Sequence, residues 1–436
     1  MSTNVRAALQ HVATVCLGEA GTIVGQLAYA KSGARENSSF TYDSKWLASA
    51  NRFSVSPDLQ MTDGHQYHKA ATKADSVFHL GIADTEPDGW GCRVIARDHA
   101  RRRKALNEQG ADLRFAALTE WDYLIGVDDI SRIGALRLRD GQGNFLRTPA
   151  HGEMATPALL ELSKLMGASH AVERGTETES DLRYLQGRGT SLGGLRPKCT
   201  VIDEDAHLAI GKFPSVSDER SVTRGEVLAL HLGALAGIDV AQARIVYAEG
   251  TPVAVVRRFD RTSNGSRIPY LSAASLLQAR RDEERAYTEI ADQIIAHCAD
   301  PARDLTELWR RIVFNLLITN VDDHLHNHGF LHVAHGQWRL APAFDVNPFP
   351  DKDQELKTWL SEDAGPVTDI EDVVRMASYF WLKSDQALRL LDQVVKAIRN
   401  WRAVAMSTAV GMVPRDLSDF APAFEHLQMQ RAVKLL

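Results

Sequence analysis

The sequence predicts an α+β fold, in which a β-rich part is followed by a mainly helical part. Up to about residue 260, short apolar segments alternate with the period of two that is typical of strands. Beyond that point, apolar stripes follow the i, i+3, i+4 spacing of amphipathic helices. Of the 436 residues, 44% are hydrophobic and 24% are charged. This composition supports a large core and excludes the disordered and fibrous classes.

The N-terminal residues predict a small accessory subdomain of strands with one helix. The apolar stretch Val12–Leu27 is interrupted by a Gly-Glu-Ala-Gly sequence at 18–21, which is typical of a strand hairpin and not of a signal peptide or membrane span. A helix is predicted over Gly91–Glu108, and Ile133–Leu138 alternates like a further strand. We therefore expect a mixed subdomain that ends near residue 145.

A second β-rich part is predicted in the middle of the chain. It begins with the glycine-rich segment Gly187–Lys198, whose backbone amides can approach phosphate groups closely. This segment does not match the Walker A pattern G-x-x-x-x-G-K-[ST]. The strands predicted after it are Cys199–Ile202, His207–Pro214, Arg244–Tyr247 and Val253–Val256.

The C-terminal part is predicted to be helical except for one hairpin. Apolar residues over Leu305–Leu317 have the spacing of a helix that buries one face. The strands of the hairpin are predicted at Gly329–Val333 and Trp338–Leu340, with a turn at Gly336-Gln337. A long amphipathic helix is predicted to follow a cap at Ser384.

The most informative segment lies between the Leu305–Leu317 helix and the hairpin. Asp322 and Asn327 are five positions apart (327 − 322 = 5), which is the D-x-x-x-x-N spacing of a protein-kinase catalytic loop. In that loop the aspartate orients the attacking hydroxyl and the asparagine binds Mg²⁺. Asp345 matches the later aspartate that bridges metal and phosphate, whereas Asn320-Val321 replaces the usual His-Arg pair. The pattern predicts phosphoryl transfer on a protein-kinase-like, two-lobed fold.

A kinase also needs a lysine that contacts the nucleotide phosphates. Lys212 lies on a predicted strand, and Glu226 at the start of the next predicted helix can pair with it, as the helical glutamate of kinases does. A single strand lysine is usually a surface residue, and a glutamate at a helix start often only stabilises the helix dipole. The order of the motifs along the chain therefore carries this assignment.

Other interpretations of the same segment stay open. It can be an ordinary solvated turn, because Asp, Asn and His side chains cap their own backbone. Alternatively, His324, His326 and His328 can bind zinc or manganese together with Asp322 or Asp323, as in a metal-dependent hydrolase. A regulatory pseudokinase would keep the fold without turning over ATP, although it would not need all of the candidate residues together.

Four segments, in order, resemble the motifs of the HipA family of serine/threonine-kinase toxins. They are Gly189–Lys198, Val256–Arg261, Asn320–Phe330 and Leu340–Pro348. Asp84–Gly91 and Glu120–Asp129 are also similar to that family, so the resemblance covers most of the chain. It implies an accessory subdomain at 1–145, a β-rich nucleotide-binding lobe with the Gly-rich loop at 146–260, and a helical catalytic lobe at 261–436.

The resemblance assigns roles to individual residues. Asp322 would be the catalytic residue, and Asn327 and Asp345 would bind Mg²⁺. Ser191, or alternatively Thr190, would be autophosphorylated, and its phosphate would repel the phosphates of ATP and silence the kinase. The adenine would lie against the Arg257–Phe259 backbone and the ribose near Asp260. The residues that the resemblance implies in ATP binding are Gly193, Gly194, Lys198, Lys212, Arg257, Phe259, Asp260 and His324.

The resemblance also implies cofactors and partners. The cofactors are ATP and Mg²⁺, and the protein would be the toxin of a toxin–antitoxin system with a role in persistence. Its partners would be a helix-turn-helix HipB-like antitoxin, an aminoacyl-tRNA synthetase as substrate, and operator DNA bound mainly through the antitoxin. A net charge of −6 argues against broad independent nucleic-acid binding. The four cysteines have no C-x-x-C spacing, which favours isolated thiols in a reducing cytoplasm, without a membrane.

Overall fold

The computed structural model describes residues 9–108, 117–148, 157–185, 194–280, 283–353 and 355–436. The chain divides into two compact units. The N-terminal unit consists of Met1–Leu208 and Asp260–Leu271, and the C-terminal unit consists of Ala209–Phe259 and Ser272–Leu436. The predicted α+β class is confirmed, because the chain combines helices with sheets in which the strands pair antiparallel, as in β1–β2, β8–β9 and β11–β12. The division into three segments stays a prediction.

The N-terminal unit contains an antiparallel five-stranded sheet. The strands of this unit are β1 (Leu9–Leu17), β2 (Thr22–Ser32), β3 (Arg35–Tyr42), β4 (Gln66–His68), β5 (Leu136–Arg139) and β6 (Lys198–Ile202). The first five form the sheet in the order β4-β3-β2-β1-β5. The hairpin predicted around residues 18–21 is confirmed as β1 and β2. Val15, Leu27 and Phe40 are fully buried, so the sheet contributes apolar side chains to the core.

The helices of the N-terminal unit include the predicted one. They are α1 (Ser44–Ala48), α2 (Leu80–Ala83), α3 (Gly89–Glu108), α4 (Glu120–Gly126), α5 (Leu162–Arg174) and α6 (Glu179–Leu185). Helix α3 confirms the prediction over residues 91–108. The strand predicted at Ile133–Leu138 starts at Leu136 and not at Ile133. Gly134 has a φ of 69°, which interrupts the extended backbone.

Among the described residues, the strands in the rest of the chain include the five predicted there and three that were not predicted, at Tyr270–Ser272, Trp359–Ser361 and Gly365–Pro366. They are β7 (Leu208–Lys212), β8 (Ala243–Ala248), β9 (Thr251–Arg257), β10 (Tyr270–Ser272), β11 (Gly329–Ala334), β12 (Gln337–Leu340), β13 (Trp359–Ser361) and β14 (Gly365–Pro366). Strand β9 pairs antiparallel with β7 and with β8. The predicted β11–β12 turn is shifted by one residue to His335-Gly336, because Ala334 pairs with Gln337. Both turn residues have positive φ, as a type I′ turn requires.

The C-terminal unit is mainly helical. Its helices are α7 (Val222–Leu235), α8 (Ala273–Leu276), α9 (Tyr287–His297), α10 (Pro301–Leu317), α11 (Ile370–Arg375), α12 (Ser384–Arg399), α13 (Trp401–Met406), α14 (Pro414–Phe424) and α15 (Leu427–Leu435). The predicted helix over 305–317 begins earlier, at Pro301, because the Asp300 side chain caps it by accepting the Arg303 N–H at 3.2 Å.

The predicted cap of helix α12 is corrected by one position. Ser384 is the first helical residue and Lys383 is the N-cap, whose backbone N–H donates to Gln386 Oε1 at 2.9 Å. A side chain three residues into the helix thus satisfies the cap backbone, so a Ser side chain is not needed there. In the part of the chain that the structure describes, no helix is long and apolar enough to cross a membrane.

Candidate active site

The loop with the predicted catalytic residues is anchored to the end of helix α10. Thr319 has a φ of 56°, a left-handed conformation that ends the helix. Asn320 follows and is 1% exposed. Its Nδ2 donates to Asn315 Oδ1 at 3.1 Å, and its Oδ1 accepts the Asn347 N–H at 3.1 Å. Asn320 therefore connects the helix with the segment that follows Asp345.

Two adjacent aspartates in this loop have opposite environments. Asp323 is 3% exposed and accepts hydrogen bonds from Tyr287 Oη and from His328 Nε2, the latter at 2.9 Å. The Asp322 carboxylate is 50% exposed, and it contacts Lys357 Nζ. Asp323 therefore holds the loop in place, whereas the Asp322 carboxylate is open to solvent.

The Asp323 carboxylate is stabilised in its ionised form. Burial alone would raise its pKa, but the nearby His328 and the Tyr287 hydroxyl stabilise the negative charge and lower the pKa below its ordinary value. Burial and the same carboxylate also raise the pKa of Tyr287 well above its usual range, so Tyr287 remains a hydrogen-bond donor. The buried part of the loop therefore has a fixed pattern of donors and acceptors.

Asn327 is linked directly to the predicted catalytic residue. Its side chain donates from Nδ2 to the backbone oxygen of Asp322 at 3.1 Å, and the residue is 6% exposed. Because the amide nitrogen makes this bond, Oδ1 is the atom that can act as a ligand to a cation. The predicted metal ligand and the predicted catalytic aspartate thus have a fixed relative position.

Lys212 lies between two carboxylates that are distant in sequence. Its Nζ is 2.5 Å from Glu226 Oε1 and 2.7 Å from Asp345 Oδ1. Burial alone would lower the pKa of Lys212, but Asp345 and Glu226 raise it above its ordinary value, so the side chain is an ammonium. The predicted pair of Lys212 and Glu226 is confirmed. Glu226 lies within helix α7 and not at its start, since the helix begins at Val222.

Asp345 has an unusual backbone conformation. Its φ is 54°, and a non-glycine residue in this left-handed region costs about 1–3 kcal/mol. The segment around it is held in place, because the Ala343 N–H donates to Asp239 O at 2.7 Å and the Asn347 N–H donates to Asn320. Strain of this kind is concentrated at functional sites. The Asp345 carboxylate is 23% exposed.

The predicted adenine-binding residues lie beside a small aromatic cluster. The Phe259 and Phe344 ring centroids are 5.1 Å apart, and Phe344 packs against Ala241 and Val256. The backbone N–H of Arg257 donates to Gln242 O at 2.8 Å, so this N–H is already used within the protein. Adenine contacts of Arg257 and Phe259 stay a prediction.

Two of the other predicted ATP-binding residues are buried in the N-terminal unit. Lys198 is 2% exposed, and its Nζ lies 3.4 Å from Asp88 Oδ2. Asp260 is 1% exposed and accepts hydrogen bonds from the Gly134 N–H and from Arg261 Nη1, both at 2.7 Å. Both side chains thus have structural partners in their own unit, and their nucleotide contacts stay predictions.

The glycine-rich loop is described only in part. Gly194 is exposed and has a φ of 96°, a conformation that favours glycine. The predicted ATP-binding residue Gly193 and the predicted autophosphorylation sites Ser191 and Thr190 lie outside the described residues.

The three histidines of the catalytic loop do not form a metal cluster. His328 is hydrogen-bonded to Asp323, and the rings of His324 and His326 are 5.8 Å apart. Within the described ranges, no group of three His, Cys, Asp or Glu side chains suited to a metal includes any of them. His324 Nδ1 is buried and has no hydrogen-bond partner among the described residues, which leaves it available to a bound molecule.

Lys357 is a candidate that the sequence patterns did not reveal. Its Nζ contacts the Asp322 carboxylate, and its N–H donates to Val321 O at 3.2 Å. It occurs in the charged segment Asp351–Lys357, where a lysine has no recognisable spacing to the catalytic loop. A cation beside the predicted catalytic residue is suited to stabilising charge on a transferred group.

Comparisons with known proteins give matches in both units. Residues 14–119 match the HipA N-terminal domain, and residues 190–402 match the HipA-like C-terminal domain. A protein of Haemophilus influenzae named "Putative kinase" is 26% identical over 188 residues, and "Putative kinase Y4mE" of Sinorhizobium fredii is 27% identical over 180 residues. These alignments cover 38% and 37% of this chain. The chain spans 55% and 43% of the lengths of these two relatives.

A solved structure is similar over nearly the whole chain. It is HipA of Shewanella oneidensis MR-1 in a complex with HipB and operator DNA. The TM-score is 0.62, and the match covers 97% of this chain and 96% of the other. The sequence identity is 16%, so this similarity concerns the fold.

Proposed function

This chain belongs to the HipA family, and from that premise we propose that it is an ATP- and Mg²⁺-dependent serine/threonine protein kinase. The observation that carries the proposal is the Lys212 ammonium between Glu226 and Asp345. In active kinases a strand lysine, a helix glutamate and a metal-binding aspartate occupy the same roles. The names of the two curated relatives support the same reaction class.

The side chains in the C-terminal unit fit a hard cation. Asp345 and Asn327 would hold Mg²⁺, because carboxylate and amide oxygens are the ligands that this ion prefers. When bound, the ion would neutralise charge on the transferred phosphoryl group. Lys212 would contact the phosphates of ATP, with Glu226 holding the ammonium in position.

Asp322 would orient the acceptor hydroxyl of a serine or threonine. The hydroxyl oxygen forms a bond to the γ-phosphorus while the bond between this phosphorus and the β–γ bridging oxygen breaks. ADP leaves with the bridging oxygen, and the hydroxyl proton passes to the Asp322 carboxylate. Lys357, which contacts Asp322, would limit the negative charge that accumulates there.

The biological role is part of the proposal. The protein would be the toxin of a toxin–antitoxin module, with a helix-turn-helix antitoxin as its partner and operator DNA bound mainly through that antitoxin. The Shewanella HipA was solved with HipB and operator DNA, which supports this choice of partner. An aminoacyl-tRNA synthetase as substrate and self-phosphorylation at Ser191 or Thr190 rest on the family resemblance.

The proposal is tested by incubation of the purified chain with γ-labelled ATP, Mg²⁺ and bacterial lysate, followed by phosphate mapping with mass spectrometry. The wild type is expected to transfer label to protein hydroxyls. Asp322→Asn should lower the labelling rate by roughly 10²–10⁴-fold, the usual contribution of a positioned general base. The matched control is Asp385→Asn on helix α12, where the carboxylate is 65% exposed and pairs with Arg389.

Two results would contradict the proposal. If Asp322→Asn labelled proteins as fast as the wild type, Asp322 would have no role in the reaction. Binding of Mg²⁺-ATP without any transfer, after phosphatase pretreatment of the protein, would indicate the pseudokinase.

A further inference from the structure

Three side chains of the N-terminal unit, none of which belongs to the candidate active site, bring potential metal ligands together. Asp58 lies in the loop before β4, His68 is the last residue of β4, and His79 precedes helix α2. His79 Nδ1 and His68 Nδ1 are 2.7 Å and 3.3 Å from the same atom, Asp58 Oδ2. All three ligand atoms lie within 4.8 Å of one another. Two imidazole nitrogens and a carboxylate oxygen are a donor set that Zn²⁺ prefers.

Neighbouring groups orient these side chains. Asp58 Oδ1 accepts hydrogen bonds from Ser56 Oγ and, at 3.2 Å, from the Leu80 N–H, so Oδ2 is the oxygen directed to the histidines. The second ring nitrogen of His79, Nε2, is 3.1 Å from the backbone oxygen of Gln66. Histidines that bind a metal almost always donate their other N–H to a carbonyl or carboxylate in this way.

The hydrogen-bond inventory of His79 indicates a cation. Nε2 faces a carbonyl oxygen and Nδ1 faces a carboxylate oxygen, and each of these oxygens only accepts hydrogen bonds. A neutral imidazole carries one N–H and can satisfy only one of the two. The ring is 2% exposed, so the second contact needs either another proton on a buried ring or a metal ion.

His68 adds a third potential ligand atom at the same position. Its Nδ1 is directed to Asp58 Oδ2, as is Nδ1 of His79, so the three atoms converge. One divalent ion satisfies all three ligand atoms at once.

We propose that Asp58 Oδ2, His68 Nδ1 and His79 Nδ1 bind one divalent transition-metal ion, best matched by Zn²⁺, with water as the fourth ligand. Ligand atoms around tetrahedral Zn²⁺ lie ~3.3 Å apart. The Asp58–His68 pair already has that separation, and the Asp58–His79 pair has to open from 2.7 Å. The side chains of His68 and Asp58 are 23% and 14% exposed, so water can reach the ion.

Such an ion would join three segments of the N-terminal unit. They are the loop with Asp58, strand β4 and the start of helix α2, and little regular structure lies between them. Strand β4 has three residues and is at the edge of the five-stranded sheet. A metal that binds only the folded arrangement stabilises it by mass action. The ion would therefore fix the edge of the sheet to the loop and the helix.

The test uses the full chain, purified without a polyhistidine tag. Elemental analysis and competition with a chromophoric chelator give the Zn²⁺ content and affinity. We expect one Zn²⁺ per chain with a Kd on the order of 1 μM or tighter. His68→Ala should weaken binding by at least about 100-fold, because loss of a supporting partner alone costs roughly 10–100-fold. Asp58→Asn, with circular dichroism to verify folding, should give a similar loss.

The matched control is His65→Ala. His65 lies near β4 in sequence, is exposed, and is 2.9 Å from Thr41 Oγ1, so its replacement should leave Zn²⁺ affinity unchanged. EDTA should lower the thermal midpoint of the wild type and of His65→Ala but not that of His68→Ala. Absence of stoichiometric Zn²⁺ binding, or equal affinity of wild type and both ligand variants, would overturn the proposal. Kinase activity plays no part in these readouts.

Discussion

Each unit of the molecule contains a buried cluster of charged side chains, and the two clusters are constructed differently. In the C-terminal unit, the Lys212 ammonium lies between Glu226 and Asp345. The Asp345 carboxylate stays 23% exposed, and its residue has left-handed backbone. This cluster is partly open, and it includes a strained residue.

The cluster in the N-terminal unit is closed. Asp129 is 5% exposed, and the Arg137 guanidinium contacts both of its carboxylate oxygens, with Nε at 3.0 Å from Oδ1 and 3.1 Å from Oδ2. Arg267 Nη2 donates to the backbone oxygen of Asp129 at 2.7 Å and lies 3.3 Å from Oδ2. Two rigid guanidinium groups thus surround one carboxylate.

The two clusters differ in the cation that they contain, and this suggests that one serves activity and the other serves stability. A lysine ammonium is a compact charge on a flexible stem, so it can exchange a carboxylate for a phosphate oxygen. Arginine presents a planar fork of donors that fixes a carboxylate in one geometry. We therefore expect changes in the Lys212 cluster to affect activity and changes in the Asp129 cluster to affect stability.

Asp345→Asn should give the largest effect. Loss of the charge that would bind Mg²⁺ is expected to lower labelling by roughly 10⁴-fold, which corresponds to about 5.5 kcal/mol in the barrier. Asparagine tolerates left-handed backbone, so the free energy of unfolding should change by less than about 1 kcal/mol. Labelling rates and urea unfolding measure the two quantities. A large loss of stability with unchanged specific activity would show that the Lys212 cluster serves stability and not activity.

Asp129→Ala should lower the free energy of unfolding. It removes the buried carboxylate from Arg137 and Arg267 and leaves them the 54% exposed Glu19 carboxylate, so we expect a loss of about 3 kcal/mol of unfolding free energy. The control is Glu179→Ala on α6, a 68% exposed carboxylate that pairs with Arg183, for which we expect at most ~0.5 kcal/mol. Urea unfolding of the three proteins checks this. Equal stability of the Asp129 variant and the wild type would contradict a structural role.

Asp323→Asn tests a third case, because Asp323 is a buried carboxylate that lies inside the predicted catalytic loop. The change should lower unfolding free energy by about 1–3 kcal/mol at pH 7, since Tyr287 and His328 lose a charged acceptor. The folded-state pKa of Asp323 is lowered, so its contribution is present above the ordinary aspartate pKa and is lost as pH falls through the folded-state value.

The stability gap between Asp323→Asn and the wild type should therefore shrink below about pH 4. Unfolding curves at several pH values measure it. Asp322→Asn, at the 50% exposed neighbour, should show no such gap. A gap that grows on acidification would refute the assigned role of Asp323.

Lys357→Met should have the smallest effect. The Lys357 side chain is 61% exposed, so water and salt screen its charge. We expect kcat to fall by about tenfold or less, with little change in KM for ATP, and the difference should narrow in high salt. Steady-state kinetics at two salt concentrations test this. A selective rise in KM for ATP would assign Lys357 to nucleotide binding instead.

Local patterns in the sequence predicted the elements that depend on neighbouring residues. The spacing of Asp322 and Asn327, the helix over 305–317 and the β1–β2 hairpin could be read because the relevant residues are close in the chain. The cap of α12 and the turn at His335-Gly336 were misplaced by one residue, since several side chains at those positions satisfy the same local rule.

Contacts between distant segments left no such pattern. The ion pair of Lys212 and Asp345 joins residues 133 positions apart, and it depends on how strand and loop pack. Asp58, His68 and His79 come from a loop, a strand end and a helix start, with no recognised metal-ligand spacing. Lys357 contacts Asp322, which lies 35 positions earlier in the chain. Each of these arises from tertiary packing, which one sequence does not display.

The composition of the Lys212 cluster has a consequence for the order of ligand binding. One ammonium between two carboxylates gives a net charge of +1 − 2 = −1. A free nucleotide, which is also an anion, is repelled from this position more strongly than its complex with Mg²⁺, which carries two fewer negative charges. In the proposed kinase, metal and nucleotide therefore strengthen each other's binding by the same factor, as thermodynamic reciprocity requires. Loss of Mg²⁺ would then weaken the binding of ADP by that factor.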